Sequence, residues 1–256
     1  MTISHACEAC GAAVRGADME GFAGAYLTHA RSAHPDWPYP DMAIRNYAEA
    51  TQRLTGSTER LETMGDVDVR PVTEDRIDDW LSFFDHDAFA GNPPWAACYC
   101  TEPHLLVPGT PPEDVPEMHW SESRATMVEL LRSGRSFGYL AYVDGRAGGW
   151  VNASRRSEYA LYRLGAGSEP ADGDVVGVSC FIIAPPYRRH GLAGRLLARV
   201  LEDAPGRGVA WVEAYPANGG REDDAGNFRG PRSMYEANGF LPAEDAKGHT
   251  VMRRRV

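Results

Sequence analysis

Two groups of residues in this chain have the types and spacing to do chemistry, and a third candidate is a lone carboxylate in apolar surroundings. Near the start, Cys7-x2-Cys10 is followed, after eighteen residues, by His29-x4-His34. Thiolate and imidazole are the ligands tetrahedral zinc prefers, and four of them close its shell. A CxxC turn lets two sulfurs converge on one ion, and the His pair projects from one helical face or helix end. Farther on, Tyr187-Arg188-Arg189-His190-Gly191-Leu192-Ala193-Gly194 joins a basic turn to residues with almost no side chain. A helix starting there exposes free N–H donors and the positive end of its dipole, and small residues let an anion reach that backbone. Arg188, Arg189 and His190 add charge around it. The run is neither a Walker loop nor a G-x-G-x-x-G fingerprint. The third candidate is Glu213, which interrupts the apolar run Val209–Tyr215. Buried carboxylates are rare without a partner or a purpose. A solvent-facing strand position or an ion pair with an arginine would equally account for it.

These residues need elements to position them. Val175, Val176, Val178, Phe181, Ile182 and Ile183 form a strand-length apolar run. Pro185-Pro186 ends it, since neither residue can donate to a ladder. Leu192, Leu196, Leu197, Val200 and Leu201 then recur at helical spacing. The order is strand, basic turn, helix start. Phe22, Tyr26 and Leu27 would give the Cys/His segment a small apolar core. Pro35, Pro38 and Pro40 follow, then a helix over 44–61 and a boundary at Gly65. Beyond it the pattern predicts a strand at 66–72 and a helix opened by Thr73-Glu74-Asp75 with Ile77, Trp80, Leu81 and Phe84 on one face. Next come a helix at 121–133 and a hairpin of 136–143 with 147–154, turning at Asp144-Gly145. Strand 208–215, helix 232–238 between Pro231 and Gly239, and a last strand at 250–256 complete the order.

Composition limits the function classes. A chain of 256 residues with 43% hydrophobic and 24% charged residues suits one sizeable globular domain and a smaller appendage. No apolar stretch approaches the ~18 residues of a membrane span. The opening MTISHACEACGAAVRG has no secretory pattern, so a cytoplasmic location is expected. Five cysteines argue against a complete disulfide framework. Net charge −10 disfavours general affinity for nucleic acid or anionic membrane. Residues 1–64 carry five arginines, no lysine and eight acidic residues, which disfavours DNA reading by the Cys/His segment.

The run Arg188-x-x-Gly191-x-Ala193, with its preceding strand and following helix, resembles the acyl-CoA signature of the GNAT superfamily of N-acetyltransferases. Met234-Tyr235-Glu236-Ala237-Asn238-Gly239-Phe240 is similar to the family's Leu-Tyr-x-x-x-Gly-Phe ending, and the element order over 66–256 resembles its fold. The resemblance implies an α/β (α+β) fold with a GNAT-like mixed central sheet flanked by helices. To this the sequence adds a zinc-finger-like module at 1–44 and a helical linker at 45–65. It implies an acetyl-CoA-dependent N-acetyltransferase acting on a primary amine of a small molecule or protein. Diphosphate would lie on the amides of Arg189–Gly194, and pantetheine along the main chain of Phe181, Ile182 and Ile183. Tyr235 would protonate the leaving thiolate, Asn227 would hydrogen-bond the cofactor, and Glu213 or a water would deprotonate the amine. His104, Asp85 and His86 are further base candidates.

Structural zinc on Cys7, Cys10, His29 and His34 is expected beside acetyl-CoA. The alternatives are a non-catalytic acyl-CoA sensor and a zinc-finger regulator. Trp95, Tyr99 and the Cys98/Cys100 pair would help wall the acceptor pocket, with Cys98, Cys100 and Cys180 as buried structural thiols. Glu222, Asp223 and Asp224 could draw an amine toward the loop 217–228. The sequence leaves the oligomeric state open, a homodimer included.

Overall fold

The computed structural model describes residues 2–111, 114–115, 117–165, 167–168, 170, 173–219, 226–246 and 248–256. Glu222, Asp223 and Asp224 lie outside them. At the N-terminus, β1 (Ile3–Ala6) and β2 (Ala13–Gly16) pair antiparallel, and α1 (Met19–Ala33) packs on the hairpin. The Asp18 carboxylate accepts from the Gly21 amide at 2.8 Å and caps α1. Phe22, Ala23, Tyr26 and Ala30 of α1 close a small core with Val14, Ile44 and Ala48. The last two belong to α2 (Asp41–Arg53), which is shorter than the helix expected over 44–61. Gly56 shows why. A Cβ there would sit 2.6 Å from Asp87 Oδ1, while the Thr55 and Gly56 amides donate to His86 O instead of continuing the helix.

The main body is a seven-stranded sheet ordered β3-β4-β5-β6-β7-β9-β8. Its strands are β3 (Val67–Pro71), β4 (Gly138–Val143), β5 (Arg146–Arg155), β6 (Asp174–Ile183), β7 (Val209–Ala214), β8 (Leu241–Ala246) and β9 (His249–Arg255). The helices are α3 (Ile77–Ser82), α4 (Glu102–Leu105), α5 (Trp120–Arg132), α6 (Ala160–Gly165), α7 (Leu192–Asp203) and α8 (Arg232–Ala237). Neighbouring strands are antiparallel except β6 and β7, which run parallel because α7 crosses between them. On one face Trp80, Phe84, Met127 and Leu130 pack on Leu140, Trp150, Cys180 and Ile182. On the other, Leu192, Leu196, Leu197 and Val200 of α7 cover Tyr139, Val151, Val178 and Phe181. The alternation of Cys180 and Ile182 against Phe181 is the strand period written into β6. This is the mixed α/β sheet flanked by helices that the sequence implied.

Several differences have local causes. The helix expected from Thr73 starts as a 3₁₀ turn and continues past Ser82 as a π-helical turn over Phe83–Asp87. Strand β8, LPAEDA, escapes a pattern search because it is a polar, mostly exposed edge strand with a proline. The hairpin turn at Asp144-Gly145 has φ values of 49° and 82°, as its dipeptide requires.

One feature of the sheet positions the site. The β6–β7 register runs only from Asp174↔Val209 to Val178↔Ala214. There β7 ends while β6 continues to Ile183, and a bulge against β5 leaves Ser179 as the extra residue. The sheet therefore opens into a V beside Phe181–Ile183.

Candidate active site

The V holds a cleft of about 400 Å³. Phe181, Ile182, Ile183, Arg188, Arg189, Gly191, Leu192, Ala193, Gly194 and Asn227 all line it, together with Ala88, Phe89, Asn92, Trp95, Phe228, Gly230, Pro231 and Met234. Residues read as one anion-seeking run are thus joined by Asn227, more than thirty positions downstream. Gly191 (φ 76°) is the N-cap of α7, and a Cβ on Gly191 or Gly194 would meet nothing within 4 Å. Gly194 has ordinary helical backbone, so neither conformation nor packing requires glycine there. Its open face belongs to the cleft. The first-turn amides of α7 have no intrahelical acceptors and, with the helix dipole, make this end an anion seat. Arg189 takes φ 66°, a left-handed conformation costing an arginine roughly 1–2 kcal/mol. The Arg188 Nε donates to Ile183 O at 2.9 Å, tying the basic turn to the strand end.

Three expected residues lie elsewhere. His190 turns away from the cleft, with Nε2 2.9 Å from Leu61 O, so it ties the turn to the 54–64 segment. Tyr235 is fully buried and donates from its hydroxyl to Arg229 O at 2.6 Å. Burial holds its phenol well above the ordinary range, hence protonated. It supports the wall formed by Gly230, Pro231 and Met234 without lining the cleft. Glu213 is fully buried in a charge network: Arg156 Nη1 donates to its two oxygens at 2.9 and 3.2 Å, Arg253 Nε at 2.6 Å and the Tyr215 hydroxyl at 3.0 Å. Glu213 lines neither the cleft nor the cavity beside it, and the ion pair with an arginine that would equally account for it is the arrangement found.

The pantetheine path is partly occupied as well. The Phe181 amide donates to Phe228 O at 2.6 Å, so the 227–228 segment already pairs with the strand where an extended ligand was expected.

The other base candidates are also engaged. His104 is buried, with Nδ1 3.1 Å from Glu158 O and Nε2 3.3 Å from Asn152 Nδ2. Burial lowers it to about 4, so it is neutral at pH 7. Asp85 accepts from Tyr99 and Arg124, and His86 Nδ1 faces Arg53 O.

A second cavity of about 230 Å³ adjoins the cleft and shares Phe89, Trp95, Ile182 and Phe228 with it. Cys98, Cys100, Cys180, Pro103 and Leu161 supply its apolar lining, and Glu102, Tyr162 and Arg229 its polar groups. Burial pushes the Cys98 thiol up to about 12 and Cys100 up as well, so neither is a thiolate nucleophile at neutral pH. Cys100 and Cys180 sulfurs lie 3.3 Å apart as thiols. Glu102, Tyr162, Phe228 and Arg229 were not singled out from sequence. The only signal was the aromatic–basic pair Phe228-Arg229 directly after Asn227.

The four N-terminal Cys and His residues do converge. Cys7 and Cys10 flank the turn of the β1–β2 hairpin, His29 lies on α1, and His34 is its C-cap. Their donor atoms lie within 4.8 Å of one another, with Cys7 Sγ and Cys10 Sγ each 3.4 Å from a histidine Nε2. A tetrahedral zinc shell has S···N edges of about 3.5 Å. Burial disfavours the Cys7 thiolate, but hydrogen bonds from His29, the neighbouring amides and His34 outweigh it and hold the thiol down to about 6.

Comparison with known proteins bears on the main body. Residues 104–222 match the family model described as "Acetyltransferase (GNAT) family". No curated protein matches the chain. Among solved structures, the chain is similar to the aminoglycoside N-acetyltransferase AAC(6')-Iy in complex with CoA, at 18% identity over 72% of this chain and 94% of that one, with a TM-score of 0.42. It is also similar to PaiA N-acetyltransferase from Thermoplasma acidophilum in complex with coenzyme A (13% identity, 75% and 99% coverage, TM-score 0.45). A third is the GNAT domain of S. lividans PAT (16%, 75% and 92%, TM-score 0.46). Among the described residues no helix is long and apolar enough to cross a membrane. The family match lies across the strand, turn and helix that build the cleft, so it is this part of the chain that is similar to the GNAT acetyltransferase family.

Proposed function

We propose that the protein is an acetyl-CoA-dependent N-acetyltransferase whose residues 1–44 form a module stapled by zinc. The observation that carries the first half is the cleft where β6 outruns β7, ending at the open faces of Gly191 and Gly194. In this reading the amides of Arg189–Gly194 hold the diphosphate, with Arg188 and Arg189 adding charge. Phe181–Ile183 guide the pantetheine, and the Phe181 amide exchanges Phe228 O for the ligand. Asn227 binds the cofactor from the opposite wall.

The acceptor amine enters from the second cavity. Its nitrogen attacks the thioester carbonyl carbon, an N–C bond forms, and the C–S bond breaks. Glu102 is the only carboxylate lining either cavity among the described residues, so it or a water takes the amine proton. Tyr235 is the proposed donor to the thiolate, a role that requires it to release Arg229 O. If Tyr235→Phe lowers kcat by roughly a hundredfold or more at unchanged affinity for acetyl-CoA, it is the acid. An altered affinity with kcat preserved would make it a positioning residue.

Zinc is supported by the donor set and by S···N separations that match a tetrahedral shell. Metal analysis should find one zinc per chain, lost in Cys7→Ser. Absence of metal from the native protein would refute the module.

A further inference from the structure

We infer that the second cavity accepts a small amine that also carries a carboxylate and an apolar body, as an apolar α-amino acid does. The inference rests on the proposed acetyl transfer and deepens it.

Two hydrogen-bond donors without acceptors meet in this cavity. Tyr162 is 1% exposed and its hydroxyl has no hydrogen-bond partner among the described residues. Its ring is stacked on Tyr215 at 3.6 Å and held edge-on by Tyr159 and His249, so it cannot swing out to find water. Arg229 lies beside it, half-buried, with its guanidinium 5.2 Å from the Phe228 ring and 6.0 Å from the Tyr162 ring. Among the described residues Arg229 has no carboxylate partner, and its Nε is buried without an acceptor. Buried donors are normally satisfied, and an orphaned pair of them marks a place for a ligand's acceptor. A guanidinium can only donate and a phenol can donate beside it, an arrangement a carboxylate fits.

The remaining wall sets the rest of the molecule. Glu102, exposed at the rim, provides a seat for an ammonium opposite the cationic one. Cys98, Cys100, Cys180, Ile182 and Leu161 want an apolar body. At about 230 Å³ the space is below the usual range of drug-sized sites, which excludes a multi-ring aminosugar from full burial. Among the described residues one guanidinium lines the cavity without a second cation, which favours a singly charged carboxylate over a phosphate.

The test uses the full chain in two arms. Calorimetry without acetyl-CoA compares the reaction products N-acetyl-leucine and N-acetyl-phenylalanine with their uncharged amides. Turnover with acetyl-CoA compares leucine and phenylalanine with isoamylamine, phenethylamine and spermidine. The carboxylates should bind and react at least about tenfold better than partners lacking that group. Arg229→Gln should remove that preference while acetyl-CoA affinity stays unchanged, and Arg229→Lys should restore part of it. Equal handling of carboxylates and their amides, or equal losses for both in Arg229→Gln, would overturn the inference. If acetyl-CoA fails to bind, the transfer reading falls, whereas the calorimetric arm still decides the pocket.

Discussion

His104 and Glu213 both attract a catalytic reading, and their partners give each a different job. Glu158 O needs a proton on His104 Nδ1, and the Asn152 amide needs a lone pair on Nε2. A second proton would set two donors face to face. The folded protein therefore resists protonating His104 until about pH 4, against 6.5 in the unfolded chain. Between those values the unfolded state binds the proton and the folded state does not, so stability falls as pH drops from 6.5 toward 4. The full loss is on the order of 3 kcal/mol. Urea unfolding across that window should show a slope that His104→Gln flattens; parallel profiles would contradict the assignment. For Glu213 the consequence lies in the fold. Arg156 is only 1% exposed, so Glu213→Ala removes the buried carboxylate that Arg156 and Arg253 share, costing about 3–5 kcal/mol. Thermal unfolding should register that loss. A variant of native stability and no turnover would instead restore Glu213 as a base.

At the scale of elements, the turn from β6 into α7 could be read ahead because its chemistry is local. Proline stop, basic turn, small residues and helix start fall within twenty positions. The same locality made the Asp144-Gly145 hairpin and the clustering of Cys7, Cys10, His29 and His34 legible. What could not be read depends on partners far along the chain. Glu213 finds Arg253 forty residues on and Arg156 fifty-seven back, and His190 finds Leu61 O at a separation of 129. Trp95 and the Cys98/Cys100 pair of the second cavity could be read ahead, but Tyr162 and Arg229 come from segments almost seventy residues apart and meet only in the fold, so its polar groups left almost no pattern in the sequence. Gly194 gives this scale its prediction. As a helical residue facing open space, Gly194→Ala should raise stability by about 0.5–1 kcal/mol. A loss of stability in chemical denaturation would mean that the face is packed.

For the whole molecule, α2 is the link between its two chemical centres. Ile44 and Ala48 belong to the core under the Cys/His cluster. On the same helix Asn46 and Glu49 bond Trp120 at 2.9 and 2.5 Å, and Arg53 donates to the Tyr99 hydroxyl at 2.8 Å. Arg53 also reaches Ala96 O, beside the Trp95 wall of both cavities. If the Cys/His cluster holds the proposed zinc, removing it should therefore loosen the acceptor side before the cofactor side. Chelation or Cys10→Ser is expected to lower Tm and raise the acceptor KM severalfold, with acetyl-CoA affinity nearly unchanged. An acceptor KM that ignores the metal would separate the two centres. The claim on which the rest depends is the cofactor seat at the start of α7, and titration calorimetry tests it most directly. Acetyl-CoA should bind the native chain at one site, and Gly194→Glu, which sets a like charge at the diphosphate seat, should weaken it by roughly a hundredfold with no loss of Tm. No binding to the native chain, or equal affinity in the variant, would contradict the account.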